Sequence, residues 1–158
     1  MSTGVGEDDR LTLEQQVCFS LAVAAREVVQ LYRPILEPLG LTHPQYLVMV
    51  TLWQHDQPIS IKKLSKLLML EAPTLSPLLK RLQGAGLVER HRDPADERSI
   101  QVSLTDLGRN LRARATGVPA AIIERLGMSL KELETLQDVL TDVIQHAKAH
   151  DQDPGTVR

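Results

Sequence analysis

Aromatic side chains are almost missing from this 158-residue chain: one Trp, two Tyr and one Phe amount to 3% of it. Its core must therefore be aliphatic, and hydrophobic residues at 42% are enough to build one in a single domain of ordinary size. Leu and Ala are strong helix formers, which turns the expectation toward helix. Cysteine occurs once, at Cys18, so no intrachain disulfide can form and a disulfide-stapled secreted scaffold is excluded. No run of about 18 apolar residues exists to span a membrane, and the opening MSTGVGEDDR holds no apolar stretch of the signal-sequence kind. A soluble cytoplasmic protein without membrane contact is expected. A glycine-rich phosphate loop, a His-Glu-x-x-His helix and a Gly-x-Ser-x-Gly elbow are all lacking, so neither an enzyme nor a bound cofactor is expected.

Net charge is small, at −2, which by itself speaks weakly against a polyanionic partner. Its distribution speaks the other way. From Ile59 to Arg92 there are seven basic residues (Lys62, Lys63, Lys66, Lys80, Arg81, Arg90, Arg92) against two acids (Glu71, Glu89), leaving that window at +5 and the remainder at −7. Such a middle can present one basic face to nucleic acid, although a solvated charged surface would read the same.

The pattern of apolar residues predicts six helices and one hairpin. Residues 1–10 and 150–158 are expected to be disordered. The first helix is expected from Thr12, where Thr12 and Gln15 make a capping-box pattern, with Leu13, Val17, Leu21, Ala24, Val28 and Leu31 at helical spacing. Pro34 should kink or end it and Gly40 should stop it. Thr42 and Gln45 cap the second helix, and Ser60 a short third. A fourth, within EAPTLSPLLKRLQGAG, is expected from Thr74, since Pro77 is best tolerated in a first turn. LVERHR and RSIQVSL then alternate about the turn-rich DPADE, the signature of a hairpin. Helix resumes at Thr105 with Arg109, Arg112 and Arg114, is interrupted by Gly117 and Pro119, and returns after the Ser129–Glu132 capping box. There Leu133, Leu136, Leu140, Val143 and Ala147 form one stripe. Trp53 belongs to the core. His146 and His150 have the spacing of metal ligands, but without a third ligand they read as a solvated pair.

Helix, helix, hairpin is the order of a helix-turn-helix with a wing. A helix about 10–12 Å across fits the major groove. Thr74 and Ser76 in its first turn can reach base edges, Lys80 and Arg81 can reach phosphate or guanine, and Arg92 and Arg98 at the hairpin tip can enter the neighbouring minor groove. The segment LSKLLMLEAPTLSPLLKRLQGAGLVERHRDPADERSIQVSLTDLG resembles the winged helix-turn-helix of the MarR family. The specific part is Asp-x-Arg, here Asp96-Glu97-Arg98, followed by an alternating strand and Leu-Thr-x-x-Gly, here Leu104 to Gly108. The resemblance covers about residues 12–148. It implies a mainly α fold with a small β-wing, in which residues 11–149 form one domain. Residues 11–41 and 105–149 would supply dimerisation helices and 42–104 the winged helix-turn-helix. It implies a homodimeric repressor on a pseudo-palindromic double-stranded operator, with Asp96 holding Arg98 for the minor groove.

A narrower resemblance is to the organic-hydroperoxide regulators, the OhrR-like branch of one-cysteine type. It rests on Cys18-Phe19, Arg26-Glu27, Tyr32-Arg33-Pro34 and Leu41-Thr42-His43-Pro44-Gln45-Tyr46. It implies that Cys18 is oxidised by an organic hydroperoxide and capped by a small thiol, with Tyr32 as its phenolic partner. The branch usually has tyrosines where this chain has Ala22 and His43, so His43 is the candidate replacement donor. Cys18 and Tyr32 lie 14 residues apart on one helix, roughly 21 Å. If they share a site, Tyr32 must come from the partner subunit. One alternative stays open: a cysteine beside Val17 and Phe19 is ordinarily a buried small hydrophobe, and the regulator would then respond to a small aromatic or phenolic ligand.

Overall fold

The computed structural model describes residues 7–151, and the expectations for residues 1–6 and 152–158 lie outside the described residues. The chain resolves into two compact units, residues 1–119 and 120–158.

The first unit opens with α1 (Glu7–Leu36), a helix of 30 residues. The expected start at Thr12 lies inside it, and residues 7–10, expected to be disordered, are helical. No Gly or Pro interrupts this stretch, and Asp9 in the first turn complements the helix dipole. Pro34 does not end the helix, which runs two residues further. With the ring so near the terminus, little beyond the hydrogen bond to the Gln30 carbonyl is forfeited. A 3-10 turn (Glu37–Leu39) follows, and Gly40 stops it in the left-handed region at φ 68°.

Helix α2 (His43–Trp53) starts as expected, with the Thr42 amide donating to Gln45 Oε1 at 3.0 Å. Its Val48, Met49 and Leu52 are buried, together with Leu36 at the end of α1. Ser60 caps α3 (Ile61–Leu68), its Oγ accepting from the Lys63 amide at 3.1 Å. Helix α4 (Ala72–Gly84) crosses this pair and buries Leu75, Leu79 and Leu82. The hairpin is β2 (Val88–Asp93) and β3 (Asp96–Leu104), antiparallel, with Arg90 opposite Val102 and Arg92 opposite Ile100. A third strand, β1 (Ile59–Ser60), pairs with β3 through Ile59 and Val102, giving the order β1-β3-β2. Two residues after a proline are too short to show alternation, so the sequence carried no sign of it.

Thr105 caps α5 (Asp106–Ala115), its Oγ1 accepting from the Gly108 amide at 3.0 Å. The expected interruption falls at Thr116 and Gly117, and α6 (Val118–Leu126) begins there, with Pro119 inside its first turn. Helix α5 packs on α2, β3 and the 3-10 turn, so residues 105–115 belong with the winged helix-turn-helix. Arg114 ties it there by donating to the Pro38 carbonyl at 2.7 Å.

The second unit holds the rest of α6 and α7 (Leu130–Asp151). The expected capping box is present: the Ser129 amide donates to Glu132 Oε2 at 2.8 Å, and the Glu132 amide to Ser129 Oγ at 3.3 Å. The Ser129 hydroxyl also donates to Glu132 Oε2, at 2.7 Å, and the two bonds from the Ser129 amide and hydroxyl hold the Glu132 carboxyl below its ordinary pKa. The helix continues through His150 and Asp151, past the expected onset of disorder. None of its residues is buried, although Leu136, Val139, Val143 and Ile144 lie along it. Among the described residues no helix is long and apolar enough to cross a membrane, and no cluster of three metal-ligating residues exists.

Candidate functional site

Two groups of candidate residues lie in the first unit. The larger is the exposed side of α4 with the wing. Thr74 is not the cap of α4, which is Glu71. Thr74 is the third helical residue, its amide bonded to the Glu71 carbonyl at 3.0 Å. Pro77 accordingly sits in the second turn. The hydrogen bond it omits is one to Pro73, at the frayed end of the helix, and three buried leucines hold the helix together beyond it. Thr74, Ser76, Lys80 and Arg81 are all exposed, opposite the leucine face. Small polar groups thus lie near the N-terminal turn and two long cations near the C-terminal end, the order a helix needs to address base edges first and phosphates further along.

At the wing, Arg92 and Arg98 are both exposed. The Asp93 carboxylate accepts from the Ala95 amide at 2.9 Å, and Asp96 Oδ1 accepts from the Arg98 amide at 3.0 Å. The expected hold of Asp96 on Arg98 thus runs through the backbone and not through the guanidinium. Among the described residues the single ion pair is Arg109–Asp106, at the start of α5. Asp96 therefore shapes the tip from which Arg98 projects. Pairing passes from Arg92–Ile100 to Asp93–Asp96, which leaves Glu97, Arg98 and Ser99 outside the regular register. One link was not foreseen: Arg90 Nε donates to Gln83 Oε1 at 2.7 Å, joining the end of α4 to β2. The alternation of β2 puts Arg90 on the same face as Arg92, which was the available signal; the pairing with Gln83 had none.

The second group lies where α1 meets α2. Tyr32 and His43 stand with ring centroids 4.6 Å apart, tilted by 54°, and Tyr32 is 5.9 Å from Tyr46. Tyr46 meets Trp53 edge-on at 6.5 Å, and the indole donates to the Gly108 carbonyl at 2.9 Å in the core. Burial raises the Tyr32 phenol pKa and lowers that of the His43 imidazole. Both rings therefore stay neutral near pH 7, as hydrogen-bonding groups. A groove of about 560 Å³ beside them is lined by Val29, Gln30, Arg33, Glu37, Gly40, Leu41, Thr42, His43 and Pro44. Cys18 is not brought to this pair. It is exposed on α1, among exposed Val17, Phe19 and Leu21, and α1 runs unbroken from it to Tyr32. In a single chain, then, Cys18 is not a buried hydrophobe. His146 and His150 are exposed, as expected of a solvated pair.

This arrangement has counterparts. The MarR family matches residues 41–100, which span α2 to the middle of β3. The chain is 37% identical to the organic hydroperoxide resistance transcriptional regulator of Bacillus subtilis (strain 168), over 87% of this chain and 92% of that protein. It is 40% identical to the HTH-type transcriptional regulator TtmR of Methylorubrum extorquens (strain PA1), over 91% of this chain and 74% of that one. Among solved structures, reduced AbfR bound to DNA, from a protein of Staphylococcus epidermidis, superposes with a TM-score of 0.79 at 32% identity, covering 91% of this chain and 98% of that one. AbfR is also known overoxidised on DNA and in a disulfide-formed state.

Proposed function

The chain belongs to the MarR family of DNA-binding transcriptional regulators, and from that premise we propose that it is a homodimeric repressor that leaves its operator when an organic hydroperoxide oxidises Cys18. In this reading α4 enters the major groove with Thr74, Ser76, Lys80 and Arg81, while Arg98 of the wing reaches the adjacent minor groove and Arg92 contacts the DNA beside it. A second copy covers the apolar residues exposed on α1 and α7. Each half of the dimer then meets one half-site of a pseudo-palindromic duplex.

The redox step is carried by the exposure of Cys18 on a helix otherwise lined with apolar groups. The thiolate attacks the outer peroxide oxygen, the alcohol leaves, and Cys18 becomes a sulfenic acid. Condensation with a small thiol then gives a mixed disulfide and water. No second cysteine exists in the chain to resolve it internally. Tyr32 of the partner subunit completes the site, because the tyrosine of the same chain is roughly 21 Å away. His43, packed at a tilt against Tyr32, orients that phenol. Relatives named for organic hydroperoxide resistance, or known in reduced and oxidised forms, support the reading.

The test begins with a duplex selected from a random library by the reduced protein. Cumene hydroperoxide should release wild type, and Cys18→Ser should bind equally well and stay bound. Release of Cys18→Ser by peroxide, or retention of oxidised wild type, would remove Cys18 as the sensor. A second reading has its own observation, the groove beside His43 with Arg33 on its wall. A small phenolic or aromatic acid bound there would release DNA with no oxidant present, and Cys18→Ser would respond like wild type.

A further inference from the structure

Where the wing meets the end of α4 lies an open groove of about 330 Å³ lined by Gln83, Arg90, His91, Arg92 and Ile100, with no carboxylate among these residues. Its geometry follows from the register. Residues directly opposite in an antiparallel pair share a face, so Val88, Arg90 and Arg92 lie with Leu104, Val102 and Ile100. At the base of the hairpin that face is core, with Val88 and Val102 buried. Toward the tip it emerges, and Ile100 is 42% exposed. Arg90 stands at the transition, half-buried, its stem over the core and its head at the groove.

Its head is not free to roam. Nε is committed to Gln83 Oε1 at 2.7 Å, and the two terminal nitrogens, with no bond to another described residue, remain as a planar pair of donors. Arg92, two residues on, is fixed more weakly, with one terminal nitrogen 3.4 Å from the Glu97 carbonyl. Two guanidinium groups on one face, with no acid between them, suit one anion, and a phosphate accepts from such forks in two-point fashion.

We propose that Gln83 is a positioning residue: it holds the Arg90 guanidinium across this groove, so that Arg90 and Arg92 together clamp one phosphate of the DNA strand running between α4 and the wing. The inference rests on the reading of the chain as a DNA-binding regulator. A phosphate clamp reads no sequence. It fixes the angle between the helix in one groove and the wing in the next, so it acts on affinity for any duplex. Gln83 contributes by freezing one long side chain before binding, which removes part of the ordering cost.

The experiment is a double-mutant cycle of Gln83→Met and Arg90→Ala, read as binding to the selected duplex and to an unrelated one between about 50 and 200 mM salt. Methionine keeps the length and helix propensity of Gln83 and removes its acceptor. Arg90→Ala should weaken both duplexes alike and lower the slope of log K against log salt by about 1. Arg92→Ala should do the same. Gln83→Met should weaken binding about fivefold, and the double variant should bind no worse than Arg90→Ala alone. Additive losses would overturn the positioning role, and an unchanged salt slope in Arg90→Ala would overturn the clamp. If wild type selects no duplex from the library, the regulator reading itself falls, an outcome distinct from either of these.

Discussion

Gly108 shows how a residue that looks like part of a functional motif can be structural. A Cβ there would lie 2.0 Å from the Leu87 carbonyl oxygen, a backbone atom with no means of turning away. Its own amide completes the Thr105 cap and its carbonyl receives the Trp53 indole. One position thus joins α5 to the start of the wing and to α2. Gly108→Ala should lower stability by about 2–3 kcal/mol, the overpacking cost exceeding the gain in helix propensity. Urea unfolding of the variant measures it, and a change under about 0.5 kcal/mol would mean that α5 shifts freely. His43 makes a different prediction. Burial lowers its folded pKa below the ordinary 6.5, so the unfolded chain binds the proton more readily. Its contribution to stability is complete above about pH 6.5 and declines as pH falls from there through the folded pKa. Thermal melts between pH 5 and 8 should show this acid-side decline diminished in His43→Gln, and an identical profile in both proteins would remove His43 as its source.

The wing is the element on which geometry adds most to the sequence. The Asp-x-Arg pattern implied that Asp96 holds Arg98, and the bond it makes is to the Arg98 backbone amide. The guanidinium is therefore exposed and available, while the tip is held by Asp93 and Asp96 together. Arg98→Ala should weaken operator binding about tenfold or more while leaving the melting temperature within about a degree, since the residue touches no core. Equal affinities at physiological salt would take the wing tip out of the interface. The cap of α4, Glu71, lies three residues before the expected Thr74. Pro77 is a strong local signal for a nearby helix start, but Leu75, Leu79 and Leu82 are anchored in the core and hold the helix through the proline. Packing outweighs a local preference worth about 3 kcal/mol when three buried side chains oppose it.

At the scale of the molecule, α7 is decisive: 22 residues with an apolar stripe and none of them buried. On α1 the described residues up to Ile35 are likewise unburied, with Phe19 69% exposed. That much apolar surface is not stable in water without a partner. The protein should sediment as a dimer at micromolar concentration, and footprinting should show two half-sites about one helical turn, roughly 34–36 Å, apart. A monomer, or a single asymmetric footprint, would contradict the two-fold arrangement.

The sequence by itself determined the order of helices and the hairpin, the caps at Thr42, Ser60, Thr105 and Ser129, and the basic middle of the chain. Each of these is set by residues three or four apart or by alternation, so it is local and readable. It also determined that Cys18 stands alone and that Tyr32 lies too far along the same helix to reach it. The tertiary structure decided what distance in sequence hides: that Tyr32 and His43 meet as tilted rings, that Gln83 holds Arg90, that β1 joins the sheet, and that α5 packs on the winged unit. The reason is the same in each case. Such contacts depend on how two elements pack, and the packing is fixed by the whole core, with Gly108 admitting the Leu87 carbonyl and Trp53 bonded over 55 residues of chain.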